Sequence, residues 1–180
     1  MNDRDSDPRT ALLRAHIRDI PDFPKPGILF RDLTPLMGHG PSLRTAVELL
    51  IEKVSPRAAD AIVAIESRGF IFGAPVATAL GIGFAPVRKP GKLPWRITRR
   101  TYDLEYGTDS LEMHADAVGP GTRVVIVDDL LATGGTAAAT VDLVRSQGGL
   151  VVGVVVVVEL ELLKGRERLT DIAVDSLIRY

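Results

Sequence analysis

Residues Val124 to Thr136 read VVIVDDLLATGGT, a β-branched run that drives into two adjacent carboxylates and then a Gly-rich turn. An unbroken apolar run of this kind is the mark of a strand buried on both faces. Such a strand ordinarily ends in something neutral or turn-forming, because an ionised carboxylate is costly to desolvate without a compensating partner. Two in a row imply a partner from outside. Gly135 to Gln147 then has helical period and stops at Gly148-Gly149. Backbone N–H groups in a Gly-rich strand-to-helix turn, backed by the positive end of the helix dipole, make a phosphate cradle. No Lys follows the glycines, so the turn is not a Walker A loop. The carboxylates suit the vicinal hydroxyls of a sugar, and with the cradle they describe a ribose 5-phosphate site. The competing reading is an ordinary turn with solvated acids.

Working outward, AIVAIE (Ala61 to Glu66), FAPVRK (Phe84 to Lys89) and VVGVVVVV (Val151 to Val158) are further short apolar runs, and Gly69 to Leu80 reads as a helix. Buried strands joined by helices predict an α/β fold, a mostly parallel sheet flanked by helices with right-handed crossovers. Ligands of such sheets bind beyond the carboxyl ends of the strands. DIAVDSLIRY, Asp171 to Tyr180, supplies a late strand. Nearer the start, Arg9 to Ile20 has helical period and is closed by Pro21. PDFPKPGILFRDLTPLMGHG, residues 21–40, is too rich in Pro and Gly for regular structure, yet its Phe23, Ile28, Leu29 and Phe30 call for an ordered, packed arm. Ser42 is placed to cap the next helix. Pro90 to Gly121 shows no clear period before Leu111 and reads as a long loop, usually a functional or mobile feature.

The 180 residues suit one domain, 1–180, with residues 1–8 a polar, flexible leader that has no signal-peptide character. Lys plus Arg number 22 against 23 Asp plus Glu, so no global field draws the chain to nucleic acid or an anionic membrane. The Val-rich run of eight is far short of the ~20 residues of a spanning helix. The absence of cysteine removes disulfides and thiolate chemistry and fits a reducing compartment. Locally the balance shifts: Arg88, Lys89, Lys92, Arg96, Arg99 and Arg100 fall in one stretch without an acid, a field suited to a polyanion. His16, His39 and His114 lack ligand spacing and read as surface or packing residues.

VVIVDDLLATGGT resembles the phosphoribosyl diphosphate signature of the type I phosphoribosyltransferases. That resemblance implies that Asp128 and Asp129 hold the ribose hydroxyls and that Ala132, Thr133, Gly134, Gly135 and Thr136 bind the 5-phosphate. Four further stretches and RKPGKLP are similar to blocks of the adenine phosphoribosyltransferases. ESRGFIFGAPVA (Glu66 to Ala77) resembles their pyrophosphate loop, with Arg68 directed at the leaving diphosphate and the Glu66–Ser67 peptide cis. RKPGKLP adds Arg88, Lys89 and Lys92. YDLEYGTDSLEMH (Tyr102 to His114) resembles a catalytic loop, mobile over residues 95–112, that places Glu105 and Tyr106 over the reaction centre, with Asp103 and Asp109 read as solvated. PDFPKPGILFRDLTPL resembles a base-recognising hood, spanning 21–40, in which Leu29, Phe30 and Arg31 meet adenine. VELELLKGRERL offers Leu160 to its other face.

The resemblance implies a single-domain enzyme that converts adenine and 5-phosphoribosyl 1-diphosphate into AMP and diphosphate. It also implies a cytoplasmic homodimer without nucleic-acid or membrane partners. Mg²⁺ is expected to enter with the diphosphate, since two carboxylates are too few for a protein-only cage. A transferase for another purine and a sensor that binds phosphoribosyl diphosphate without turnover are the rival readings.

Overall fold

The computed structural model describes residues 7–103 and 107–180, in two compact units that divide between Leu49 and Leu50.

In the first unit, Asp7 caps α1 (Pro8–Arg14) by accepting from the Arg9 N–H. The helix ends six residues before the predicted Ile20, because β1 (Arg18–Pro21) is recruited into an antiparallel pair with β2 (Leu29–Asp32), Ile20 opposite Phe30. Pro21 favours that outcome by disfavouring helical backbone at Ile20. The Pro/Gly-rich arm is thus partly regular, with α2 (Thr34–Gly38) following β2. Leu33 and Leu36 anchor it in the core, whereas Phe23, Ile28 and Leu29, expected to pack, are exposed; Phe23 meets Phe30 edge to face at 5.1 Å. Ser42 does not cap the next helix. It is buried inside α3 (Gly40–Val54), its hydroxyl 2.8 Å from His39 Nδ1 and 3.1 Å from His16 Nδ1, and the two imidazoles stack at 4.0 Å.

The second unit is built on a five-stranded sheet in the order β4-β3-β7-β8-β9, every pair parallel. Its strands are β3 (Ala61–Ile65), β4 (Gly83–Val87), β7 (Arg123–Leu131), β8 (Leu150–Glu159) and β9 (Val174–Arg179). β3 and the centre of β8 are buried throughout, which is why they do not alternate. On one face Val63, Ile65, Ile126, Val154 and Val156 share a core with Ala137, Val141 and Val144 of α5 (Gly135–Ser146). On the other, Gly73 of α4 (Arg68–Leu80) lets the helix close on Ala64, whose Cβ would stand 2.7 Å from a Cβ at that position. The chain leaves β3 for β4 on one side and takes up β7 on the other, so a topological switch point lies between β3 and β7.

The segment read as a loop is largely an antiparallel ribbon, β5 (Ile97–Asp103) and β6 (Thr108–His114), tied to the end of β4 by backbone bonds between Arg88 and Glu112. Among the described residues of this ribbon, Leu111 and Met113 are the fully buried apolar ones, too few to create a legible period.

Candidate active site

Both edges of the switch point carry the predicted residues. β7 runs past the aspartates to Leu131, with Asp128 opposite Val156 of β8. Asp129 is buried and Asp128 half-buried, and the Asp129 N–H donates to Asp128 Oδ1 at 2.9 Å. From the other edge, α4 begins directly behind them: a Cβ on Gly69 would stand 2.8 Å from Asp128 Oδ1, so only glycine permits this approach. The Glu66–Ser67 peptide that precedes α4 is cis. Arg68 Nε lies 2.5 Å from Asp129 Oδ2 but off the hydrogen-bonding direction, which leaves that buried oxygen short of a donor. Burial first, and then the charge of Asp129, push the Asp128 carboxyl well above the usual carboxylate range, against the pull of Arg68. With one buried acceptor oxygen left without a hydrogen-bond donor, the pair suits a ligand that brings hydroxyl groups.

Beyond β7 the chain turns through Ala132, Thr133 and Gly134, the last at φ +80°, into α5. A cavity of about 90 Å³ opens here, lined by Asp128, Ala132, Thr133, Gly134, Gly135 and Thr136 over a floor of Ile65, Ile126, Val154 and Val156. The backbone of Gly165 backs the turn, its carbonyl oxygen 2.3 Å from where a Cβ on Gly134 would stand. The Tyr102 ring of β5 lies over Gly135, 3.5 Å from a Cβ there, and its hydroxyl is 3.3 Å from Thr136 Oγ1. Sequence reading placed Tyr102 in the catalytic loop without a role and missed Gly165; close backbone approach leaves no periodic signal beyond the glycine itself.

The basic stretch is not an open cationic field. Glu66, nearly buried, takes Lys92 Nζ at 2.5 Å, the Lys89 N–H at 2.8 Å and Arg88 Nε at 3.2 Å. Lys89 Nζ pairs with Asp109, Arg99 with buried Glu112 at 2.5 Å, and Arg100 with Asp142 at 2.7 Å. Arg96 lies over the Trp95 ring. Although burial opposes it, Lys92, Lys89 and Arg88 hold the Glu66 carboxyl below its usual range, and Arg99 with the Gly91 N–H does the same for Glu112. Asp109, expected to be solvated, is engaged by Lys89 and by the Tyr102 hydroxyl at 3.2 Å. The neutralising acids come from elsewhere in the chain, where a linear charge count does not look.

Glu105 and Tyr106 lie outside the described residues. Leu29, Phe30 and Arg31 occupy β2 of the first unit, where Arg31 pairs with Asp19. Leu160 follows β8 in the second unit, its N–H donating to the Leu131 carbonyl at 2.9 Å. Arg68, Asp128, Asp129 and the 132–136 turn are therefore brought together, whereas Arg88 and Lys92 gather on Glu66 and Lys89 on Asp109.

Fold and site define an open-sheet α/β protein whose ligand cavity sits beyond the carboxyl ends of its strands, acidic on the strand side and rich in backbone N–H groups on the helix side. The phosphoribosyl transferase domain matches residues 39–178, and the chain belongs to that family. Over 168 residues it is 55% identical to the adenine phosphoribosyltransferase of Thermobifida fusca, covering 93% of this chain and 96% of that one. It is 56% identical to the adenine phosphoribosyltransferase of Desulfitobacterium hafniense over 165 residues, covering 92% and 95%. Among solved structures, the adenine phosphoribosyltransferase of Thermoanaerobacter pseudethanolicus superposes with a TM-score of 0.92 at 51% identity, covering 95% of this chain and 99% of that one. The Saccharomyces cerevisiae enzyme, solved with adenine and an imino-altritol bisphosphate, gives 0.88 at 41% identity, covering 94% and 98%.

Proposed function

We propose that this chain is an adenine phosphoribosyltransferase, which transfers the 5-phosphoribosyl group of 5-phosphoribosyl 1-diphosphate to adenine and releases AMP and diphosphate. The observation that carries the reading is the cavity at the end of β7, which joins a donor-deficient carboxylate pair to a Gly-rich helix entry. The near full-length similarity to adenine phosphoribosyltransferases supplies the base.

In this reading the N–H groups of Ala132 to Thr136 take the 5-phosphate, which also gains from the α5 dipole, an effect worth about 0.3–1 kcal/mol at an exposed site and up to ~2 when partly buried. Asp128 and Asp129 accept from the ribose hydroxyls. The bond from C1′ to the diphosphate oxygen breaks as the bond from C1′ to N9 of adenine forms, and the N9 proton is shed. Positive charge grows on the ribosyl carbon and negative charge on the departing diphosphate, so donors aimed at the diphosphate lower the barrier. Arg68, Arg88, Lys89 and Lys92 take that role, exchanging Asp129, Glu66 and Asp109 for the ligand's oxygens. Glu105 handles the proton of the base, and Leu29, Phe30, Arg31 and Leu160 contact adenine. Mg²⁺ is taken to arrive on the diphosphate oxygens. Bound there, it would offset the diphosphate's charge. The working form is taken to be a cytoplasmic homodimer.

Incubating the chain with Mg²⁺, phosphoribosyl diphosphate and, separately, adenine, hypoxanthine, guanine and xanthine tests the proposal. AMP and diphosphate with adenine alone are expected. Turnover of another purine in preference corrects the base, and binding without diphosphate release makes the chain a sensor.

A further inference from the structure

The wall behind the phosphate turn is a second glycine turn, Gly165 to Arg168. The two backbones touch in both directions: a Cβ on Gly134 would stand 2.3 Å from the Gly165 carbonyl oxygen, and one on Gly165 would stand 2.3 Å from the Ala132 carbonyl oxygen and 3.1 Å from the Gly134 nitrogen. The turn's Arg168 works against that contact, since it brings a guanidinium to within 3.8 Å of a Cβ on Gly135, at the positive end of α5.

Leu169, which follows the turn, is buried in the core, and Arg166 supplies a directional tie within the turn itself. Arg166 forks onto Glu159, with Nη2 2.6 Å from Oε2 and Nε on Oε1, and its Nη1 donates to the Val174 carbonyl at 2.6 Å. The Ser176 hydroxyl completes the carboxylate at 2.6 Å. Glu159 is the buried last residue of β8, opposite Leu131 in the ladder, and Leu131 is the residue from which the phosphate turn departs. A bidentate guanidinium–carboxylate pair is directional as well as strong. It therefore ties the brace to the end of β8, which lies beside the end of β7 from which the cradle departs, and to the first residue of β9.

We infer that Glu159 and Arg166 are positioning residues for the 5-phosphate cradle, acting through Gly165 on the backbone at Ala132 and Gly134 and touching no substrate themselves. The inference rests on the ribose 5-phosphate assignment of that cavity. Backbone N–H groups bind an anion well only when held in place beforehand, so loosening the brace weakens this subsite while the diphosphate subsite around Arg68 and Glu66 is left alone.

The test uses the full chain and two probes, ribose 5-phosphate and diphosphate with Mg²⁺, each titrated calorimetrically. Removing one partner would strand a buried charge, so the main variant is the double substitution Glu159→Gln with Arg166→Met, which leaves Arg179, 3.6 Å from the carboxylate, to its other partner Glu161 at 3.3 Å. Ribose 5-phosphate affinity is expected to fall at least about tenfold, with diphosphate affinity within about twofold, and KM for phosphoribosyl diphosphate to rise with kcat little changed. Arg166→Lys, which keeps the charge and loses the fork, should fall between. Should the double variant misfold, Arg166→Lys decides, because it keeps a cation beside Glu159, gives up the fork and must still produce a smaller loss confined to ribose 5-phosphate. Equal loss of both ligands, or no loss of either, overturns the inference. A wild-type chain that does not bind ribose 5-phosphate overturns the cavity assignment and the brace together, whereas normal binding that survives both variants overturns the brace alone.

Discussion

Asp128 is held in an environment that favours its neutral form, yet the proposed function asks it to accept hydrogen bonds from ribose. A carboxyl raised in the folded state contributes stability below its unfolded value and loses that contribution as pH rises through its folded value. Above the ordinary carboxylate range the free chain therefore bears a cost here, from burial and the neighbouring Asp129 charge, that Arg68 offsets only in part. Asp128→Asn should raise the melting temperature at pH 8 by a few degrees and weaken ribose 5-phosphate about 10- to 100-fold. Because the ligand's own phosphate titrates near pH 6, the informative quantity is the difference between wild type and variant across pH 5–8, expected to widen upward; a constant difference would argue against a protonated Asp128. Glu105 presents a different case. A positioned acid–base group contributes about 10²- to 10⁴-fold, so Glu105→Gln should lower single-turnover rates by at least ~10² while phosphoribosyl diphosphate binds as before. Wild-type single-turnover rates would remove it from the mechanism.

At the scale of elements, the strand-turn-helix from β7 to α5 joins two glycines with opposite reasons for being glycine. Gly134 has φ +80° and a carbonyl 2.3 Å from its missing Cβ, whereas Gly135 faces only ordinary contact with the Tyr102 ring at 3.5 Å. Gly134→Val should destabilise the chain, by about 1–3 kcal/mol from the left-handed backbone alone and more from the clash. Gly135→Val should fold nearly as well as wild type but narrow the cavity mouth, lowering ribose 5-phosphate affinity at least ~10-fold. Thermal melts beside titrations separate the two, and equal melting temperatures would contradict the contrast. The stretch that announces this element was legible because burial on both faces leaves an unbroken apolar run and a helix entry leaves its glycines. β3 and β8 were legible for the same reason, whereas β4 and β9, only partly buried, stood out as short apolar runs and α4 by its helical pattern. The ribbon β5–β6 was not legible, since its described residues present two fully buried apolar side chains to the core, nor was β1, whose residues extend a helical pattern and are claimed by a partner strand eleven or so positions away. Of the site, the residues on β7 and its turn could be read locally. The pairings of Glu66 with Lys92, Lys89 with Asp109 and Arg166 with Glu159 could not, because each is made by chain reversal.

Across the whole chain, the second unit stakes its stability on carboxylates that are buried but paired. Glu112 is the plainest: almost wholly buried, it accepts from Arg99 at 2.5 Å and from the Gly91 N–H at 2.9 Å, and these bonds outweigh burial in holding its carboxyl below the usual range. Glu159 is held low in the same way by Arg166 and Ser176, and Glu66 by Lys92 and Lys89. For a lowered acid the contribution is present above the unfolded value and is lost as pH falls through the folded value. All three therefore act together below about pH 4.5, the ordinary glutamate value, and acid unfolding should be steep there. Glu112→Gln keeps the shape but gives up charge-assisted bonds, worth about 1.5–3 kcal/mol for a buried group. Denaturant melts at a series of pH values should show that deficit in full at pH 7, shrinking through the acid range and gone where the wild-type carboxyl is itself protonated. Curves that stay parallel down to pH 3 would mean that packing, not charge, is what Glu112 supplies, and that the ribbon is held to β4 by its backbone bonds alone.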